Sequence, residues 1–174
     1  MVDYWTRKEL RLEELRVLLV DDNADMRSLV KSLIHAMGIK KVVECGDGGE
    51  ALQELKIKKY DLIITDWVME PIDGLEFVRL LRTAPDSPCP KANVIMLTSN
   101  TEYEQVLTAR DAGITEFLAK PISPEKLYTR IISVLKFPRP FVERKGYTGP
   151  DRRRIFPGGY DREERRQEEE LVVQ

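Results

Sequence analysis

Four short apolar runs in this sequence end directly at side chains that could bind a cation or an anion. Asp21 and Asp22 follow "RVLLV", Asp66 follows "DLIIT", Thr98 follows "VIML", and Lys120 follows "EFLA". If these runs are strands of one parallel sheet, their carboxyl ends lie along one rim and the five residues converge. Three carboxylates brought close together repel one another, and they need a compensating positive charge. The pattern therefore predicts a cation site at this rim, beside Lys120.

The donor types indicate which cation such a site would hold. A few carboxylate oxygens with room for water suit Mg²⁺, whereas Zn²⁺ favours histidine or cysteine ligands. The single histidine, His35, falls within an amphipathic segment beside Ile34. We interpret His35 as a residue on the surface of a helix and predict that Mg²⁺ is the bound ion.

Each of these residues also has a plainer interpretation when it is considered alone. A pair of aspartates after a strand is commonly a turn or a helix cap, and residues 22–25 could simply start a helix. An aspartate at a strand end is commonly solvated, a lysine before proline commonly has no role, and Thr98 could merely complete its strand. The conjunction of all of them at successive strand ends favours the functional interpretation.

The elements that must position these residues alternate regularly along the chain. Five apolar runs, "RVLLV", "KVVE", "DLIIT", "NVIML" and "TEFLA", alternate with amphipathic stretches. Continuous apolar runs are typical of strands buried on both faces of a parallel sheet. The spacing of apolar residues from Met26 to Met37, including Leu29, predicts a helix that Gly38 ends. Further helices are predicted over 48–56, 74–82, 101–112 and 124–136, which indicates an α/β, doubly wound parallel sheet.

Composition excludes several classes of protein. The chain has 174 residues, of which 42% are hydrophobic, and its net charge of −2 gives no general attraction to nucleic acid or to an acidic membrane. No run approaches the roughly 18 apolar residues of a membrane span, and the charged N-terminus does not read as a secretory signal. Cys45 and Cys89 lack metal-binding or redox spacing. We expect a soluble cytoplasmic protein.

The motifs around the strand ends resemble a known family. "LLVDDNADMR", "LIITDWVMEPIDGLEF", "VIMLTSN" and "EFLAKPIS" are similar to the receiver domain of two-component response regulators, close to the single-domain chemotaxis type. The resemblance covers residues 15–136 with the motifs in the family's order. It implies a five-stranded, flavodoxin-like sheet with the strand order 2-1-3-4-5. Residues 1–14 and 137–174 then lie outside the receiver domain.

The resemblance also implies a role for each site residue. Asp66 would be the phospho-accepting aspartate, Asp22 would bind Mg²⁺ directly, and Asp21 would help largely through water. The metal ligands would then be Asp21, Asp22, Asp66 and the backbone carbonyl of Val68. Thr98 and Lys120 would contact the phosphoryl oxygens, and Phe117 would hold the aromatic switch position that responds to Thr98.

This family implies a function in signalling. The donor would be a histidine kinase or a phosphotransfer protein, and the phosphorylated form would bind a downstream effector protein. The chain would be a phospho-acceptor that assists its own phosphorylation and dephosphorylation, rather than an enzyme with a separate substrate. A degenerate receiver that acts as an unphosphorylated adaptor remains an alternative, although every required residue is present.

Two departures from the family pattern stand close to the site. Glu70 intervenes between Met69 and Pro71, where the family has proline directly after methionine, so we expect an altered turn rather than a lost site. The switch aromatic is phenylalanine instead of the commoner tyrosine, which removes a hydroxyl group but keeps a rotating ring.

The two flanking segments differ in character. The first 14 residues predict a short helix whose leucines cover an edge of the domain. Residues 137–174 combine prolines and glycines with nearly balanced basic and acidic side chains, which is typical of a disordered or partner-docking tail. Arg152, Arg153 and Arg154 invite a nucleic-acid interpretation, but the flanking acids nearly cancel their charge. We therefore predict protein docking and not DNA binding.

Two other function classes fit the strand ends less well. A flavodoxin-like cofactor binder needs a phosphate-binding loop after the first strand, where "DDNADM" would repel phosphate unless a metal were bound. A haloacid-dehalogenase-type phosphatase needs a second aspartate two residues after the nucleophile, and this chain has Val68 there.

Overall fold

Five parallel strands form the centre of the molecule. The computed structural model describes residues 10–99, 103–144 and 146–152. The strands of the sheet are β1 (Arg16–Val20), β2 (Lys41–Cys45), β3 (Leu62–Asp66), β4 (Val94–Thr98) and β5 (Glu116–Ala119). Their spatial order is β2-β1-β3-β4-β5, and every neighbouring pair is parallel. The predicted doubly wound, flavodoxin-like sheet is confirmed.

Helices connect the strands at the predicted places. They are α1 (Ala24–Ala36), α2 (Gly48–Ile57), α3 (Gly74–Thr83), α4 (Tyr103–Asp111) and α5 (Pro124–Lys136). Side chains at the N-caps fix several starts: Asp73 accepts a hydrogen bond from the backbone of Glu76, and Ser123 from that of Lys126. After α1 the chain turns at Gly38, whose φ of 91° favours glycine.

Both faces of the sheet are covered, which explains the continuous apolar runs. One core lies between the sheet and α1 and α5, and it includes Val17, Leu19 and Ile64. The other lies between the sheet and α2 and α3, and it includes Leu18 and Ile63. Successive residues of a strand point to opposite faces, so a strand covered on both sides must be apolar at every position.

One residue of the predicted stripe on α1 is not buried. Val30 and Ile34 are fully buried and Leu33 packs against the core, whereas 49% of Leu29 is exposed. Leu29 precedes Val30 by one residue, and consecutive residues of an α-helix are about 100° apart around the axis. Leu29 therefore lies at the margin of the buried face, and its assignment to the core stripe was wrong.

The segment before β1 covers an edge of the first core. Residues Leu12–Glu14 form a short 3₁₀ helix, Leu10 and Leu12 pack against the core, and Leu15 is buried. The predicted start of a helix before residue 10 lies outside the described residues. In the part of the chain that the structure describes, no helix is long and apolar enough to cross a membrane.

The segment after α5 begins with an antiparallel hairpin that the sequence analysis did not predict. Its strands are β6 (Phe141–Arg144) and β7 (Tyr147–Pro150), and Gly146 adopts a φ of 85° between them. Disorder predicted from composition is therefore wrong for residues 141–144 and 146–152, while residues 153–174 lie outside the described part. A hairpin of two four-residue strands is marginal alone and needs packing against another element.

The domain built on the five-stranded sheet supplies that packing. Arg82 at the end of α3 is 3% exposed, and its guanidinium donates to the carbonyls of Gly113, Pro90 and Ala92. The ring of Phe141 on β6 covers this guanidinium, with its centroid 5.5 Å from the central carbon. Burial lowers the pKa of Arg82 to about 10, and the three carbonyls compensate a cation that would otherwise be costly to bury.

Other contacts hold the hairpin beneath α4 and β5. Gly149 lies so near Gly113 that a Cβ on Gly149 would be 2.7 Å from the Gly113 Cα. Arg139 donates to the carbonyls of Thr115 and Asp151. Because Thr115 directly precedes β5, the hairpin packs at the amino ends of the strands, opposite the predicted site.

Candidate functional site

The strand ends bring the predicted charged residues together. One ligand oxygen from each of Asp21, Asp22 and Asp66 lies within 4.8 Å of the others. The ammonium group of Lys120 lies 2.8 Å from Asp66 Oδ1 and 4.0 Å from Asp21 Oδ2. These four residues come from the ends of β1, β3 and β5, so the convergence predicted from topology is present. Asp22 is exposed, whereas Asp21 and Asp66 are buried.

Asp21 is a buried carboxylate that is only partly hydrogen-bonded by the described residues. It is 1% exposed; its Oδ1 accepts a hydrogen bond of 2.8 Å from the Asn23 backbone, and no described residue donates to Oδ2. Burial raises the pKa of Asp21, and the nearby Asp66 carboxylate adds to the effect, while the Asn23 N–H and Lys120 oppose it. An unpartnered carboxylate oxygen is costly to bury. Such an oxygen fits a site that binds a cation or ordered water.

The backbone around Asp66 is closely packed on the α3 side. The buried Thr65 hydroxyl donates to the Asp66 carbonyl at 3.0 Å, and the Gly74 N–H donates to the Trp67 carbonyl at 2.8 Å. A Cβ on Gly74 would lie only 2.0 Å from the Asp66 carbonyl oxygen. Position 74 therefore requires glycine because any side chain there would collide with the Asp66 carbonyl, and not because the backbone has a positive φ.

The turn that contains Glu70 keeps the connection between β3 and α3 intact. The peptide bond from Glu70 to Pro71 is cis, as is the bond from Lys120 to Pro121. The hydrogen bond from Gly74 to Trp67 closes the turn, and Asp73 still caps α3. The inserted Glu70 side chain is exposed, so it adds no buried anion beside Asp66.

An open cleft of about 710 Å³ adjoins Asp66. Its walls come from the loop after β3, the end of β4 and the helix α4, and the lining residues are Asp66, Trp67, Val68, Thr98, Ser99, Gln105 and Thr108. The Val68 side chain is 76% exposed at this mouth. A reactant could therefore approach Asp66 from solvent.

The α4 side of this cleft was not predicted from the sequence. Gln105 and Thr108 are three residues apart, so they lie on one face of the helix. That spacing is the only signal in the sequence, and it is too common to have singled them out.

The two predicted switch residues lie on neighbouring strands. Thr98 is buried at the end of β4, and its carbonyl accepts a 2.7 Å hydrogen bond from the Lys120 backbone. Phe117 pairs with Met96 in the register of β4 and β5, and its partly buried ring packs against the second core. His35 is exposed on α1, away from this set, as predicted.

The donor set fits Mg²⁺. All side-chain donors are carboxylate oxygens, the unpartnered Asp21 Oδ2 is among them, and Asp22 is accessible to solvent. Mg²⁺ binds through one or two carboxylates and retains several waters. Neither histidine nor cysteine contributes to the cluster, so the set does not suit Zn²⁺.

Sequence reasoning also missed Arg27, whose guanidinium Nη1 donates to the Asp21 carbonyl at 2.6 Å. An arginine on the first turns of a predicted helix gives no indication of whether it faces solvent or the preceding loop.

Comparison with known proteins assigns the family. The description "Response regulator receiver domain" matches residues 17–132. Chemotaxis protein CheY-3 of Vibrio cholerae is 29% identical over 124 residues, which cover 71% of this chain and 94% of the relative. Chemotaxis protein CheY4 of the same species superposes with a TM-score of 0.64 at 33% identity, covering 70% of this chain and 98% of that one.

A third similar protein has been solved with a metal ion. The receiver domain of sensor histidine kinase PA1611 from Pseudomonas aeruginosa, which has magnesium coordinated in its active-site cleft, is 27% identical with a TM-score of 0.60. The superposition covers 68% of this chain and 94% of the PA1611 receiver domain. Since the family match spans two thirds of the chain and includes every residue of the acidic cluster, this chain belongs to the response regulator receiver domain family, with a CheY-like fold.

Proposed function

We propose that this protein is a phospho-accepting response regulator. Asp66 receives a phosphoryl group from the histidine of a kinase or of a phosphotransfer protein, with Mg²⁺ as cofactor. The phosphorylated form then binds a downstream effector protein. The observation that carries the proposal is the Asp66 carboxylate, held 2.8 Å from the Lys120 ammonium beside a buried, incompletely satisfied Asp21 at the edge of an open cleft.

The chemistry required of the protein is modest. A carboxylate oxygen of Asp66 attacks phosphorus, the bond from phosphorus to the donor histidine nitrogen breaks, and the nitrogen leaves with the bonding electrons. An acyl phosphate on Asp66 is the product. Phosphoryl transfer depends mainly on positioning and on charge neutralisation. Lys120 supplies a fixed cation on one side, and Thr98 supplies a hydroxyl group at the end of the neighbouring strand.

The acidic cluster and the loop after β3 would hold the metal. We assign Asp22, Asp66 and the Val68 backbone carbonyl as direct ligands, and Asp21 as a ligand that acts mainly through water. When bound, Mg²⁺ supplies positive charge that offsets the phosphoryl oxygens and the three carboxylates. The chain is then an acceptor that assists its own phosphorylation and dephosphorylation, and it is not an enzyme with a separate substrate.

The decisive experiment is to measure the intact mass after incubation with acetyl phosphate and Mg²⁺. We expect one phosphoryl adduct on the parent protein, none without Mg²⁺, and none on Asp66→Asn. Asp73→Asn is the matched control, because Asp73 caps α3 outside the acidic cluster. An adduct of the same stoichiometry on Asp66→Asn would refute the assignment, and an unmodified parent would favour the unphosphorylated adaptor.

A second arm of this experiment tests the metal ligands. Mg²⁺ titration, followed by the fluorescence of Trp67 in the cleft wall, should show weak binding that Asp22→Ala abolishes and Asp21→Ala only weakens. Trp5→Phe in every protein makes Trp67 the sole tryptophan. A titration of Asp22→Ala that matches the parent would place the metal elsewhere.

The segment after the hairpin is proposed to dock a protein partner in the cytoplasm rather than DNA. Because residues 141–144 and 147–150 pack on the domain, a clean truncation removes only residues 153–174 and retains Arg152, which pairs with Asp111 at 3.4 Å. We expect phosphorylation of Asp66 to survive this truncation, while recovery of the kinase or effector falls. Unchanged recovery, together with a full-length protein that shifts duplex DNA at physiological salt, would contradict the proposal.

A further inference from the structure

Arg27 links α1 to the backbone of the acidic site. Its Nη1 donates to the Asp21 carbonyl at 2.6 Å, and the Asp21 N–H donates to the Cys45 carbonyl at 3.2 Å. Both polar groups of the Asp21 main chain are therefore bonded. The Asn23 N–H fixes the Asp21 side chain through Oδ1, which leaves Oδ2 directed to the side where Lys120 lies.

Glu44 on the neighbouring strand forms an ion pair with the Arg27 guanidinium, although the buried Arg27 Nε has no hydrogen-bond partner among the described residues. Glu44 Oε2 lies 3.4 Å from Arg27 Nε, and Glu44 Oε1 lies 2.5 Å from the Lys31 ammonium. The hydrogen bond from Lys31, together with the charges of Lys31 and Arg27, lowers the pKa of Glu44. Glu44 is thus an anion at neutral pH, and it is held by Lys31, one helical turn beyond Arg27.

We infer that Arg27 is a positioning residue for the acidic site, held in place by Glu44. It does not touch the reacting atoms. It acts by fixing the Asp21 carbonyl, and with it the backbone that carries the Asp21 and Asp22 carboxylates. This inference rests on the proposed function and deepens it, because it adds an outer layer of residues to the proposed metal ligands. A planar guanidinium suits this role, since its several N–H groups let it bond the Asp21 carbonyl while it also faces the Glu44 carboxylate.

Whether removal of Arg27 weakens or strengthens Mg²⁺ binding distinguishes a positioning role from a purely electrostatic one. Arg27 is a cation near a proposed cation site, so by charge alone its removal would strengthen Mg²⁺ binding. Loss of an outer-layer partner of a metal ligand instead weakens binding, typically by 10- to 100-fold. Because Arg27 contacts a ligand's backbone rather than its carboxylate, we expect the lower end, about tenfold.

The test is Mg²⁺ titration of the full chain, monitored by Trp67 fluorescence with Trp5→Phe in every protein. Arg27→Ala should bind about tenfold more weakly. Arg27→Lys keeps the charge but not the fork, and should fall between Arg27→Ala and the parent. The matched control is Lys31→Ala, which removes a cation from the same Glu44 carboxylate without touching Asp21; it should change affinity by less than about twofold, since a partly exposed charge is screened. Urea unfolding of each protein reports whether the variant is folded.

The outcomes distinguish this inference from the proposed function. A parent protein that neither binds Mg²⁺ nor is modified at Asp66 refutes the proposed function. A parent that binds Mg²⁺, with Arg27→Ala binding equally or more tightly, refutes the role of Arg27 alone. If Arg27→Ala does not fold, Glu44→Gln decides the question: weaker binding than that of Lys31→Ala supports the positioning role, and affinity equal to that of the control overturns it.

Discussion

Replacement of Gly74 by alanine should lower the stability of the fold and disturb the proposed acceptor site. A Cβ at this position would lie 2.0 Å from the Asp66 carbonyl oxygen and 3.1 Å from the Met96 methyl carbon, whereas Cβ contacts under 3.0 Å essentially do not occur. Helix α3 must therefore move away from β3 by about 1 Å, the difference between 3.0 and 2.0 Å. The Gly74 N–H, which donates to the Trp67 carbonyl at 2.8 Å, moves with it.

The expected loss follows from two contributions. Forcing an extra carbon into a packed interior costs about 1–3 kcal/mol. Weakening the hydrogen bond between Gly74 and Trp67 costs about 0.5–1.5 kcal/mol. The higher helix propensity of alanine returns part of this, up to about 1 kcal/mol. The free energy of unfolding should fall by about 0.5–4.5 kcal/mol, with a central value of about 2.5 kcal/mol, and displacement of Asp66 should weaken Mg²⁺ binding in the variant that still folds.

Urea unfolding monitored by circular dichroism measures this change. The control is Gly46→Ala, because a Cβ on Gly46 meets only the end of the Glu50 side chain, at 3.5 Å. We expect the control to stay within about 0.5 kcal/mol of the parent. A free energy of unfolding for Gly74→Ala as close to the parent as that would show that α3 is not fixed against Asp66, and would refute the reasoning.

Three further changes have definite expected outcomes. Thr98→Ala should still accept a phosphoryl group on Asp66 but lose phosphorylation-dependent effector binding, because a ligand shifts an equilibrium only through differential contacts; unimpaired binding in a pull-down would contradict a relay to Phe117. Burial raises the pKa of the Cys45 thiol to about 12 from its ordinary value of 9.0. The folded thiol thus keeps its proton longer than the unfolded one, and its contribution to stability is present below about pH 9 and is lost as the pH rises towards 12. The parent's free energy of unfolding should therefore fall more steeply above pH 9 than that of Cys45→Ala. Gly149→Ala should lower the free energy of unfolding by about 1–3 kcal/mol, because its Cβ would overlap Gly113, and should leave acceptance of the phosphoryl group on Asp66 intact; loss of that acceptance in a folded variant would contradict the separation of hairpin and site.

The sheet and the acidic cluster could be predicted because local and global rules agree there. Strands covered on both faces are apolar throughout, so β1, β3 and β4 are recognisable in the sequence. Parallel strands place their carboxyl ends on one rim, so Asp21, Asp66 and Lys120 had to converge once the strands were identified. Caps such as Ser123 are equally local, and they fix where a helix begins.

The features that were missed depend on contacts between distant parts of the chain. Arg82 follows the helical pattern of α3, but three carbonyls from two loops make its burial tolerable, and no pattern within α3 predicts them. The same holds for Arg27, which bonds a carbonyl outside its own helix. Leu29 shows the converse case, since periodicity identifies the buried face of a helix but not where that face ends.

The hairpin was missed for a related reason, and its location has a consequence for function. Strands β6 and β7 have four residues each, and β7 contains a glycine and a proline, so their stability depends on Phe141 and Gly149 packing against the domain. Those contacts lie at the amino end of β5, where Arg139 donates to the Thr115 carbonyl, whereas Lys120 follows the carboxyl end of the same strand. Perturbing the hairpin should thus lower the free energy of unfolding through β5 and through the ends of α3 and α4 that it contacts, without displacing the carboxylates. Any effect of the hairpin on the proposed signalling would have to pass through these three elements.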